Sequence, residues 1–210
     1  MAEEWETYKI FLDGEWSLAE FYELPHAYSQ VYAFVYALES PDGIEDYGAV
    51  LRYADYPWRG GFSSFNFYRQ LQEAVPGEDR PRIISIQYAS PGWMELSLAV
   101  GAALSIRTII KAFIASASEL DSLYHKIYKN IHDRRLMNVE ARQAVLKLKD
   151  EELRFLEGSI KRLARLLKIP ASEVLLAQSE NPVARIKMLL SLFRRVETLA
   201  EYEKKGKAQF

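Results

Sequence analysis

The sequence predicts an α+β protein, predominantly α, in which a small N-terminal sheet with Tyr-rich helices precedes a long coiled-coil-like helical hairpin and two shorter C-terminal helices. Two periodicities and a scarcity carry that prediction. Ile106, Ile110, Phe113, Ala117, Leu120, Tyr124, Ile127 and Ile131 alternate steps of four and three, as on a coiled-coil seam. Val139, Leu146, Leu153, Ile160 and Leu167 then recur every seventh residue. Against these stand only a few short runs with strand character, chiefly 8–12 and 82–88.

A chain of 210 residues suits one domain or two small ones, and the change of pattern predicts a boundary between an α+β module (1–89) and a helical part (90–210). With 49% apolar residues it has enough material for a core, which excludes wholesale disorder. It has no cysteine. Disulfides, thiol catalysis and Cys-based zinc sites are therefore excluded, and the composition fits a reducing, cytoplasmic setting. Met1 to Glu6 is acidic, unlike the basic start of a signal peptide. The most apolar stretch, Trp93 to Ala115, is free of charge only over Leu96 to Ile106. That is well short of the roughly 20 residues a bilayer requires, so it reads as a buried helix.

In chain order, Tyr8 to Leu12 is a strand closed by an Asp13-Gly14 turn. Ser17-Leu18-Ala19-Glu20 has the spacing of a capping box and opens a short helix to Leu24. Pro25 suits the first turn of a second helix, 26–39, which is apolar on nearly every face and so buried on most sides. Tyr28, Tyr32 and Tyr36 form one stripe on it, with their hydroxyls expected at a wet rim. Residues 40–62 are loop-rich around a short strand at 50–53, and Ser64 is a candidate cap for a helix to about Ala74. After the 82–88 strand, Ser90 and Pro91 have the residue types that start a helix, here one reaching Asp133 unless it kinks near Ser116-Ala117-Ser118. Asn138 caps the second arm of the hairpin, which ends at Pro170. A short helix at 172–178 and an amphipathic one to about Glu203 follow, and the tail beyond is expected to fray.

Catalytic patterns are absent from the sequence: there is no Walker A loop, no G-x-G-x-x-G and no G-x-S-x-G. Asp121, His125 and His132 share a helix, but the trio spans about 16 Å by helical rise and lacks an H-E-x-x-H companion. No metal or cofactor is expected. Trp58, Arg59, Gly60, Gly61 and Phe62 combine an arginine, aromatics and glycines, which suits either a ligand loop or a plain surface loop. Residues 162–178 resemble a generic helix-turn-helix, with Arg162, Arg165 and Lys168 as candidate nucleic-acid contacts. The resemblance departs from the pattern at Lys168, where a turn glycine is usual, and its second helix carries Glu173 and no basic residue.

Charge is divided along the chain. Residues 1–119 hold 8 Lys/Arg and 17 Asp/Glu, net −9, while residues 120–210 hold 19 and 12, net +7. The bases are interleaved with acids, so an acidic surface is the expected counterpart, ahead of nucleic acid. The reading that follows is a non-enzymatic interaction or assembly protein. Ile106, Ile110, Phe113, Leu120, Tyr124, Ile127 and Ile131 are expected to form its self-association seam, with a second copy or another protein as partner. A nucleic-acid-binding regulator is the alternative.

Overall fold

The computed structural model describes residues 7–40, 43–44, 48, 55–57, 62–133, 136, 140–169 and 181–210. Among them it has seven helices and a four-stranded antiparallel sheet, so the predominantly helical α+β class holds. No single described helix is long and apolar enough to cross a membrane.

Strand β1 (Thr7–Leu12) leads into helix α1 (Leu18–Glu39). The capping box forms: the Ser17 hydroxyl accepts from the Glu20 N–H at 3.2 Å, and the Glu20 carboxylate accepts from the Ser17 N–H at 2.8 Å. The break expected at Leu24-Pro25 does not occur, because α1 runs straight through Pro25. A proline in a helix interior costs about 3 kcal/mol. The unbroken run of buried residues from Gln30 to Leu38 outweighs it, since each large apolar side chain contributes roughly 1.5–3 kcal/mol when fully buried. The tyrosine hydroxyls are not at a wet rim. Tyr32 donates to the Asp79 carbonyl at 2.7 Å and Tyr36 to the Asp79 carboxylate at 2.5 Å, which pins the turn after helix α2 (Phe62–Ala74) onto α1. Ser64 lies inside α2 and does not cap it.

Strands β2 (Arg82–Gln87) and β3 (Gly92–Ser97) form a hairpin where the sequence predicts a helix start. The Ser90-Pro91 peptide is cis and sits in the connecting turn. Gly92 is required there, since a Cβ would collide with the Gln87 carbonyl. Burial alternates along Trp93-Met94-Glu95-Leu96 as in a strand, with Met94 and Leu96 inward. The helix begins only at Val100. Strand order is β2–β3–β1–β4, and β4 (Ala208–Gln209) comes from the tail that was expected to fray. Phe11 and Leu12 pair with Gln209 and Ala208, and the buried Phe210 ring lies parallel to Tyr28 at 6.0 Å.

The long first arm of the expected hairpin is two helices, α3 (Val100–Ala115) and α4 (Ala117–Asp133), whose axes differ by 88° across Ser116. The second arm is also divided. Helix α5 (Ala141–Val145) ends early, and α6 (Asp150–Leu166) starts afresh. Asp150, Glu151 and Glu152 suit the positive N-terminal end of a new helix, and the Glu152 carboxylate accepts from the Lys149 N–H at 2.9 Å. Leu146, a heptad position by sequence, falls in the gap and is 87% exposed.

Helix α7 (Pro182–Lys204) is capped by Asn181, whose side chain accepts from Val183 and Ala184 N–H groups. Every residue from Pro182 to Phe193 is buried, so this half is enclosed and not amphipathic as predicted. α7 packs on α1, α3, α5, α6 and β4 and is the axis of the molecule. One apolar cluster runs from Ile10 to Phe210, and the boundary predicted at 89/90 lies inside the β2–β3 hairpin.

Candidate functional site

The residues predicted to form a self-association seam are found inside the chain's own core. Ile106, Ile110 and Phe113 lie on α3; Leu120, Tyr124, Ile127 and Ile131 lie on α4. All are buried except Tyr124, which is partly so. The periodic face is real, but the bend at Ser116 turns its two halves in different directions. Phe113 meets Phe193 of α7 at 5.0 Å, and Tyr124 stacks on the same ring at 4.4 Å. The Tyr124 hydroxyl accepts from Arg194 Nε at 2.7 Å. Their apolar surface is therefore already covered within one chain.

The candidate nucleic-acid contacts have separate local settings. Arg162 donates to Glu119 through Nε at 3.2 Å and Nη2 at 2.5 Å, joining α6 to α4. Arg165 lies in the last turn of α6, where a cation suits the helix dipole. Lys168 stands just past that helix with φ +50, the left-handed conformation that the missing glycine would normally supply. The second helix of the resemblance, 172–178, lies outside the described residues, as do Asn138, Pro170, the strand at 50–53 and the 58–61 loop.

Sequence reasoning missed a polar stripe on α7. Lys187, Ser191 and Arg195 follow at steps of four and face inward among the buried apolar residues of the helix. Arg195 lies 3.8 Å from the Tyr68 ring centre and donates to the Gln30 side-chain carbonyl at 2.6 Å, the Ser191 carbonyl at 2.9 Å and the Ser191 hydroxyl at 2.8 Å. The Ser191 and Ser64 hydroxyls are 2.8 Å apart, so the network ties α7 to α1 and α2. Burial pushes the Tyr68 phenol up, with Arg195 acting the other way. Lys187, 0% exposed, donates to the Tyr56 carbonyl at 3.3 Å. Burial lowers its pKa to about 8, opposed by Asp55. The repeated i, i+4 polar step was the signal that would have found this stripe.

Among the described residues no group of three or more acidic or histidine side chains could hold a metal ion. His125 pairs with Asp121 at 3.3 Å and His132 with Asp133 at 3.9 Å, all on the exposed side of α4. In comparisons with family models, curated proteins and solved structures, nothing matches this chain. Its surfaces must be read from their own chemistry.

The most unusual of these surfaces is the edge of the sheet. Among the described residues β2 has a strand neighbour on one side only, β3. Ile83, Ile84 and Ile86 are 49%, 55% and 44% exposed, and Tyr88 beyond them is 66% exposed. A register irregularity between Ile83 and Ser85 leaves Ile84 outside the pairing. Natural edges are usually blunted by lysine, proline, a bulge or a covering loop, because free N–H and C=O groups template pairing with another chain, and the irregularity at Ile84 is the one such device within 83–87. Between Ile83 and Gln87 this edge has no charged residue and no proline.

Proposed function

We propose that this protein is a non-enzymatic interaction and assembly protein that associates with a second copy of itself through β2. The observation that supports this reading is the run of exposed isoleucines on an edge strand that carries no charge from Ile83 to Gln87. An antiparallel pair about a two-fold at Ser85 opposes Ile84 with Ile86 of the second copy, and Arg82 with Tyr88. Such a contact is self-complementary, places no like charges opposite each other, and extends the sheet across both copies. A cytoplasmic setting belongs to the same proposal, since a chain without cysteine draws nothing from an oxidising compartment.

The test is mass by light scattering at tens of micromolar, on wild type and on an Ile84→Lys/Ile86→Lys variant. A wild-type dimer that becomes a monomer in the variant, with little change in the melting of the monomer core, is the expected result. A monomeric wild type, or a dimer that survives both lysines, overturns it.

A further inference from the structure

Helices α4 and α6 flank an open cleft of about 860 Å³. Its size lies in the range of small-molecule sites. Among the described residues three cations line it, Lys126, Arg154 and Arg162, against one acid, Glu119. Glu119 is already taken by Arg162. Lys126 rests over the Phe155 ring at 5.5 Å, and Arg154 forms no ion pair among the described residues. The cleft therefore has two cations in excess of its acids. Their ammonium and guanidinium groups are the donors best suited to phosphate.

Ser159 adds an independent sign. It is 5% exposed, lines the cleft, and its hydroxyl makes no hydrogen bond among the described residues. The hydroxyl oxygen itself keeps contact with solvent in the cleft, so it can donate to an oxygen of a bound molecule there. Ser118 and Ser122, on the opposite wall, present further hydroxyls. The 88° bend at Ser116 brings the first turn of α4 to the same cleft, and the first N–H groups of a helix have no intrahelical partner.

Gly158 points the same way. It lies inside α6 with no positive φ, and a Cβ built there meets nothing within 4 Å. Neither backbone conformation nor packing calls for a glycine, which weakens a helix relative to alanine. What its missing side chain preserves is room in the cleft.

From this convergence we propose that the α4–α6 cleft binds a small phosphorylated molecule. Arg154, Lys126 and the serine hydroxyls hold the phosphate, and the organic part lies against Leu123 and Phe155. This site is separate from the β2 edge and stands whether or not the protein dimerises. Because a nucleic-acid backbone offers the same phosphate chemistry, the test has two arms on the full chain. Pyrophosphate is titrated by amide-resolved NMR, and a short single-stranded DNA is titrated in parallel at near-physiological salt.

The expected result is saturable shifts confined to residues 116–126 and 154–162, with pyrophosphate half-saturation below about 1 mM and weakening of about tenfold or more in Arg154→Ala and in the cleft-filling Gly158→Leu. Gly158→Ala should melt at or above wild type, showing that position 158 tolerates a side chain. No shifts at about 10 mM, shifts elsewhere, or binding that both variants retain would overturn the proposal. DNA binding that competes with pyrophosphate for the cleft would also overturn it, in favour of a nucleic-acid surface.

Discussion

Two helix ends show how one backbone solution is reached with different residues. After α7, the Gly206 N–H bonds the Glu203 carbonyl and the Lys207 N–H bonds the Tyr202 carbonyl, both at 3.0 Å, with Gly206 at φ +69. After α6, Lys168 and Ile169 make the same pair of bonds to Arg165 and Ala164, at 3.1 and 3.0 Å, but with a lysine at φ +50. A side chain in the left-handed region costs on the order of 1 kcal/mol that glycine avoids. Lys168→Gly should therefore raise stability by about 1 kcal/mol in urea denaturation, and Lys168→Val should lower it by at least as much. Lys187 makes a second residue-scale prediction. Its folded pKa of about 8 lies below the ordinary 10.5, so between those values the unfolded chain binds more protons. Stability from this group is absent below about pH 8 and grows as pH rises toward 10. Above that, the raised Tyr32 phenol, at about 12 through burial, acts in the opposite sense, because the unfolded tyrosine ionises first. Urea midpoints between pH 7.5 and 10 should climb in wild type and lie flatter in Lys187→Met. Equal slopes would show that the amine is not desolvated.

At the level of elements, periodicity revealed which faces are buried but not how straight the helices are. The step of four and three from Ile106 to Ile131 is a true inward face, so Phe113→Ala and Leu120→Ala should each cost about 2–5 kcal/mol, read as a fall in the denaturation midpoint. What a repeat cannot encode is a change of axis. Ser116 interrupts without breaking phase, and the acid cluster at Asp150 restarts a helix that heptad spacing had joined to its predecessor. Pro91 misled for a related reason: serine then proline suits a helix start and a cis turn equally well, and the apolar Trp93, Met94 and Leu96 around Glu95 show their strand alternation only as burial in the folded chain. By contrast the capping box at Ser17 and the all-round apolar 26–39 segment were legible, because each depends on contacts within a few residues. The isoleucines of β2 were legible as a strand, while their exposure depends on strand order, which no local pattern specifies. The cleft residues had the same fate, since Arg154 and Lys126 come together only after two helices pack.

Across the whole molecule, part of the charge division is used internally. Glu20 of the acidic half pairs with Lys207 of the basic half at 2.5 Å, and Glu119 with Arg162 at the same distance. The Lys207 bond is the largest cause holding the Glu20 carboxyl down at about 2, followed by its bonds with Ser17. The tail beside that pair is structural: Phe210→Ala should cost about 3–5 kcal/mol by removing a buried ring from the Tyr28 stack, and a melting temperature unchanged within a degree would contradict the burial. Strand β4 also sets the order of events during synthesis. Phe11 pairs with Gln209, so β1 leaves the ribosome nearly 200 residues before one of its two neighbours exists. Helix α7, around which α1, α3, α5 and α6 assemble, is likewise translated after all of them. At about 5–20 residues per second, the apolar face of α1 waits on the order of 10 s for the helix that covers it. Stalled nascent chains that stop before Asn181 should accordingly be cut rapidly by protease and held by chaperones, and resistance should appear in one step once residues 182–210 clear the exit tunnel.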